Sequence, residues 1–227
     1  MPGLLAASLY FLLIHFAVSG TRWRDVLVQR LGEGPYRGLF SLASFLGIAW
    51  MARAYARAPT IVTWGLLPRL RPLVFAVVLL AVLLVVIGLS TPTPTSVGRE
   101  GQLAAGGAEV RGITRITRHP FLWGVALWAL VHLVVNGDLA SLVLFGSLLL
   151  LALAGTAVID AKRRRRFGAA WEVFARRTSN LPFAAIAAGR NQLGPALREI
   201  GLLRPLAALA AYGLIFALHD RFIAPLT

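Results

Sequence analysis

Residues 117–138 read Thr-Arg-His-Pro-Phe-Leu-Trp-Gly-Val-Ala-Leu-Trp-Ala-Leu-Val-His-Leu-Val-Val-Asn-Gly-Asp, a run with a lipid-compatible middle and two histidines, His119 and His132. Pro120 suits the first turn of a helix, where its missing N–H costs nothing. Asn136-Gly137-Asp138 has the composition of a tight turn. The stretch therefore predicts a membrane helix that begins with His119 at the water's edge and ends near residue 135, followed by an antiparallel partner. His132 falls at bilayer depth, where an ionisable side chain is costly and is by default a functional-site hypothesis.

Working outward from this hairpin, apolar runs near the roughly 20 residues that cross a hydrocarbon core occur at 4–20, 38–56, 72–89, 119–135, 139–158 and 205–219. The 227 residues are 58% hydrophobic and 14% charged, against about 25% charged in soluble domains, and the mean hydropathy is +0.74. These features predict an all-α, polytopic membrane helix bundle of about six transmembrane helices. A single integral membrane domain over residues 1–227 is expected, without internal repeats or a soluble domain. No basic residue precedes the first run and no small-residue cleavage pattern follows it, so a retained helix is expected rather than a signal peptide.

The net charge of +14 is read as an orientation signal and not as a nucleic-acid footprint. With six spans, 18 of the 23 basic residues fall in three loops on one side, around Arg22–Arg37, Arg99–Arg118 and Lys162–Arg204. That side is expected to be cytoplasmic, with both termini opposite. The long polar connection from Ser90 to Arg118 reads as an ordered lid or binding segment, with disorder over 98–110 as the alternative. Beyond the hairpin, Phe167, Trp171 and Phe174 recur at helical spacing behind Lys162–Arg166, which describes an amphipathic helix on the cytoplasmic leaflet. A simple orientation signal accounts for Arg163–Arg166 as well.

The chain has no cysteine, which excludes disulfides, thiolate metal ligands and cysteine nucleophiles. At a rise of about 1.5 Å per residue, His15 lies roughly 16 Å and His132 about 10 Å from the outer side, level within the uncertainty of span boundaries. His119 is about a core thickness away from that side and is not a partner for His132. His219, near the end of the last run, competes with His15. A hydrogen bond to a neighbouring helix is the structural reading of a lone membrane histidine. Two level histidines suit haem b held by two imidazoles in an apolar cavity; zinc, which takes more protein ligands, suits them less.

Around these ligand candidates, Trp128 precedes His132 by one turn and offers an aromatic wall. Gly124, two turns before it, would admit a ring or another helix. Asn136 and Ser19, one turn beyond His132 and His15, are candidate hydrogen-bond partners that fix each tautomer. Arg115 and Arg118 are too far along a straight helix to reach a group at His132, Arg118 by roughly 21 Å. They are expected at the headgroups or in a separate cytoplasmic site.

Gly112-Ile-Thr-Arg-Ile-Thr-Arg-His-Pro, Leu-Trp-Gly, Leu-Trp-Ala-Leu-Val-His132 and Asn-Gly-Asp138 closely resemble the NnrU family of membrane proteins. His15-Phe-Ala-Val-Ser-Gly, Leu31-Gly-Glu-Gly-Pro-Tyr-Arg-Gly-Leu-Phe-Ser, Ile159-Asp-Ala-Lys-Arg-Arg and Arg177-Thr-Ser-Asn-Leu-Pro-Phe183 extend the resemblance over about 4–190. The helix at 205–219 is expected to be appended. The family groups bacterial membrane proteins linked to denitrification and nitric oxide with the haem b enzyme 15-cis-zeta-carotene isomerase. The resemblance therefore implies a bacterial inner-membrane protein, surrounded by lipid, with iron ligated by His15 and His132. It also implies cis–trans isomerisation of a hydrophobic polyene by reversible one-electron chemistry, or a non-enzymatic haem or nitric oxide-linked role. Arg118-His-Pro, Gly124, Phe167-Gly, Trp171 and Phe174 are more distantly similar to isoprenylcysteine carboxyl methyltransferases. That likeness implies S-adenosylmethionine near Arg118, His119 and Asp160.

Overall fold

The computed structural model describes residues 1–96, 98–103 and 109–222. Helices α1 (Pro2–Leu13), α2 (Trp23–Leu31), α3 (Glu33–Tyr55), α4 (Arg71–Ser90), α5 (Pro120–Asn136) and α6 (Leu139–Phe167) carry the first part of the chain. Helices α7 (Ala169–Arg177), α8 (Ala184–Ala187), α9 (Leu193–Ile200) and α10 (Leu203–Phe222) complete it. The helices at α1, α3, α4, α5, α6 and α10 coincide with the six apolar runs. Three helical stretches among the described residues are long and apolar enough to cross a bilayer: Pro2–Ser19, Pro68–Ser90 and Leu139–Phe167. Helices α9 and α10, bent by 72°, make a fourth if they form one span. Helix α5 has only 17 residues, and α3 carries Glu33 in its first turn and Arg53 in its last.

The chain forms two compact units, Met1–Val74 with Ala129–Val158, and Phe75–Trp128 with Ile159–Thr227. In the first, α1 continues into a π-helical turn, Ile14–Ser19, and packs on α3, where Gly47 admits the rings of Tyr10 and Phe11. The α5–α6 connection is as tight as its sequence predicts: Gly137 has φ +59, and Gly65 lies so close that any Cβ on Gly137 would collide with it. Residues 61–67 strap this turn through Thr63 and Gly65 N–H groups donating to Gly137 O, and Leu67 N–H to Val135 O. Asp138 accepts from the Ser141 N–H (2.9 Å) and hydroxyl (2.6 Å), satisfying the first turn of α6 as an N-cap does.

In the second unit, α4 and α5 are in backbone contact. A Cβ on Gly124 would meet Ala81 O at 2.7 Å, and one on Gly88 would meet Pro120 at 3.0 Å. Leu84, Ile87, Ile113, Ile116, Ala196 and Ile200 form one buried cluster. Leu103, Val110, Trp171 and Phe174 form another. The second corrects the expectation of a surface helix spanning the basic run and the aromatics. The helix breaks at Gly168, and Trp171 and Phe174 of α7 are 0% and 1% exposed, stabilising this unit by about 1.5–3 kcal/mol for each such side chain. Leu103 and Val110 are buried at the edges of the polar connection, so the alternative of disorder over 98–110 does not hold for them; residues 104–108 lie outside the described residues.

Candidate functional site

His15 occupies the π-helical turn after α1, a local register shift often associated with functional positions. Its Nδ1 lies 2.8 Å from Phe11 O. A carbonyl only accepts, so Nδ1 carries the proton and Nε2 presents a lone pair, the tautomer of a metal-ligating imidazole with its other nitrogen anchored. The half-buried ring stands between Phe11, at 4.4 Å between centroids, and Phe40 of α3, at 5.2 Å. His132 of α5 is also half-buried, its ring stacked on Phe145 of α6 at 5.0 Å. The donor chemistry in this unit, two imidazoles walled by phenylalanines, fits a large apolar ligand with an imidazole-binding centre. Among the described residues no group of three or more His, Asp or Glu could hold a metal ion, so a zinc site of three protein ligands is not found among them.

Helix packing sets the register of the two histidines. Gly20 stands against Val158, and the face of α1 from Leu5 to Leu12 lines a groove of about 300 Å³ with the face of α6 from Leu142 to Leu150. The two helices therefore run parallel, and His15 is level with α6 residues near Leu153. His132 is level with Phe145, an offset of about eight residues or roughly 12 Å. This is twice the separation expected from span boundaries, because packing, and not distance from the ends of an apolar run, fixes height. The groove is apolar apart from Ser147, whose hydroxyl donates to Val143 O at 2.6 Å, and Ser8, whose buried hydroxyl has no partner among the described residues.

The supporting residues divide. Ser19 ends the π-helical turn, and Trp128 precedes His132 on α5. Gly124 faces Ala81 and Val85 of α4, so the absent side chain serves helix packing and not the approach of a ring. Asn136 donates to Ser141 Oγ at 3.1 Å, where Tyr55 also bonds at 2.8 Å; it braces the α5–α6 turn. His219 belongs to the second unit, whereas His15 and His132 share the first.

The second unit contains a denser constellation, whose Arg118, His119 and Asp160 the methyltransferase likeness groups, whereas position along the chain reads His119 as a helix cap and Arg163 as part of an orientation signal. His119, expected as a cap at the water's edge, is buried within the protein, 2% exposed, its Nε2 donating to Asp160 Oδ1 at 2.7 Å. The Arg118 guanidinium grips the same carboxylate at 2.5 Å and 3.1 Å, 5.7 Å from the Trp171 ring centre. Thr95 donates to Arg118 O, Arg118 N–H donates to Ser179 O at 2.9 Å, and Thr117 donates to Asn180 O at 2.6 Å. Arg163, expected among exposed cations, is buried and donates to Pro94 O at 2.9 Å. Burial holds the His119 pKa below the ordinary 6.5, opposed by Asp160, so the imidazole is neutral near pH 7. Arg115 is clamped to Glu199 at 2.8 Å through two nitrogens and to Asn191 at 3.0 Å. The signal for this cluster was the Arg-His-Pro stretch together with Asp160, forty-one positions from His119.

A family model described as NnrU protein matches residues 3–225, which extends past the quoted blocks and takes in α10. The chain is similar to 15-cis-zeta-carotene isomerase, chloroplastic, of Zea mays, 40% identical over 82 residues. It is similar also to the Arabidopsis thaliana protein of that name, 38% identical over 82 residues. Each match covers 36% of this chain and spans 22% of the length of the relative. No solved structure matches.

Proposed function

The chain belongs to the NnrU family, and from that premise we propose a membrane protein of about six spans that binds haem b through His15 and His132 and isomerises a double bond of a hydrophobic polyene. The kinship with 15-cis-zeta-carotene isomerases supports the reaction class. The observation that carries the ligand assignment is the anchored His15 ring, Nδ1 tied to Phe11 O and Nε2 free for coordination. His15 and His132 would hold the iron of the haem, each through one imidazole nitrogen. Bound there, the haem would supply reversible one-electron exchange with the polyene.

The protein's own residues do the remainder. The Phe11 carbonyl holds the His15 tautomer, while Phe40 and Phe145 give the imidazoles apolar walls that keep water out. The groove between α1 and α6 offers an apolar chain a bed in the same unit. The basic loops face the cytoplasm of a bacterial inner membrane in this reading, following the charge distribution. Methyl transfer at Arg118, His119 and Asp160 receives less support: the Asp160 oxygens are already taken by its two neighbours.

The test is a spectrum of the purified protein expressed with ample haem. A Soret band is expected, reduced or displaced in His15→Ala and in His132→Ala and unchanged in His219→Ala. Absence of the band, or its loss in His219→Ala alone, overturns the assignment. Conversion of 15-cis-zeta-carotene in carotenoid-accumulating cells then separates the isomerase from a haem protein with a nitric oxide-linked role, which would keep the spectrum and leave the pigment unchanged.

A further inference from the structure

The expectation of an amphipathic helix at the membrane surface fails for α7, whose aromatics are buried, but α9 has the required form. Its inward face, Ala196 and Ile200, is held in the buried cluster of the second unit. The same apolar face continues at its edge into Leu193 and Leu197, 42% and 56% exposed, which share the i, i+3, i+4, i+7 stripe with Ala196 and Ile200. Leu202 and Leu203, at 80% and 83%, continue that apolar edge across the bend into α10. Soluble surfaces rarely gather large apolar side chains in this way.

Two further observations point to what covers the edge. Phe183 is the sole non-glycine residue with positive φ among the described residues, at 65°, a conformation costly for a side chain with Cβ. Its ring is nonetheless 48% exposed. The backbone N–H of Phe183 donates to Ile116 O at 2.9 Å, which ties the strained residue to the cluster that holds α9 while about half of its ring stays uncovered. Exposed arginines stand close by along the chain: Arg198 on α9 itself, and Arg176 and Arg177 at the end of α7. Arg190 donates to the carbonyls of Arg176 and Thr178, and Asn191 to that of Arg177. These bonds bind the arginine-bearing end of α7 to the segment leading into α9.

The bend between α9 and α10 is built and not incidental. Gly201 has φ +72, and Arg204 donates to Ile200 O at 2.8 Å and to Glu199 O at 3.3 Å, satisfying carbonyls at the end of α9. Helix α9 is therefore fixed at 72° to the apolar helix that follows, an orientation suited to lying along a bilayer surface while α10 enters it. Apolar residues flanked by arginines are the composition of an interfacial helix, and anionic headgroups complement the arginines.

We propose that α9, with Phe183, Leu202 and Leu203, is a foot seated in the headgroup layer of an anionic leaflet, the leaflet through which α10 enters. The assignment rests on the reading of α10 as a membrane span. Since the chain has no cysteine, Leu193→Cys, Leu197→Cys and Leu214→Cys each accept one nitroxide in the full-length protein, reconstituted in nanodiscs of phosphatidylcholine with or without phosphatidylglycerol. With both lipids, labels at 193 and 197 should collide more with oxygen than with a water-soluble nickel chelate, at a shallower depth than the label at 214. Omitting phosphatidylglycerol, or adding Arg198→Gln, should shift the Leu197→Cys spectrum from immersed to free by about fivefold per arginine. A water-exposed label at 197 with an immersed label at 214 overturns the foot alone. A water-exposed label at 214 overturns the membrane reading of α10 as well. Dipolar broadening between labels at 197 would mean that a second copy covers the face, and immersion unaffected by phosphatidylglycerol would remove the anionic leaflet; either overturns the proposal.

Discussion

His119 and His132 lie at the two ends of one short helical stretch and are held in opposite ways. His119 is almost wholly buried in a network where one carboxylate serves an imidazole and a guanidinium. His132, like His15, is half-buried among aromatic rings. The difference teaches that a histidine's depth in the fold does not identify it as a ligand. A ring whose nitrogen is committed to a saturated carboxylate stabilises structure, whereas the His15 ring, anchored at Nδ1 by Phe11 O, retains a lone pair for coordination.

The largest test of that contrast is Asp160→Ala, which strands two buried cationic or polar partners. Removing one side of a buried pair costs about 3–5 kcal/mol, so thermal unfolding in detergent should show a severe loss, with His132→Ala far milder. Equal losses would erase the distinction. Gly124→Ala forces a methyl group against Ala81 O and Val85 and should cost about 1–3 kcal/mol without altering a haem spectrum. A spectral change with unaltered stability would restore Gly124 to the cofactor.

A smaller effect is pH dependence. Because burial lowers the His119 pKa from 6.5, the unfolded chain takes up this proton first as pH falls. Stability should be fully present above about pH 6.5 and decline below it towards the lower folded value, by at most about 1.4 kcal/mol per pH unit for one proton. Denaturant titrations of the wild type and His119→Phe across that interval should differ in slope; parallel curves would count against burial of the imidazole. The smallest change is expected from Asn136→Ala, about 1 kcal/mol from one lost hydrogen bond and no spectral shift, since Asn136 braces Ser141.

Much of the helical plan was legible from the sequence because apolar runs report helices directly: the six runs coincide with helices, and Asn-Gly-Asp marks a tight turn. Three of those helices meet the length and apolarity of a span by themselves, since the interrupting charges of α3 and the brevity of α5 dilute the signal. Phe167, Trp171 and Phe174 gave the period of a helical face, yet period alone does not say whether that face meets lipid or protein. Leu103 and Val110, more than sixty positions away, cover Trp171 and Phe174.

The sequence by itself determined the solvent this chain is suited to, the excluded thiol chemistry and the positions of its histidines, since composition and spacing are local properties. Tertiary structure alone decided which polar groups satisfy one another. It joined Arg118 and His119 to Asp160, aimed Gly124 at α4, and set His15 and His132 roughly 12 Å apart along the helices. The physical reason is that hydrogen-bond saturation and helix register depend on contacts between segments distant in the chain, and these contacts exist only once the helices have packed.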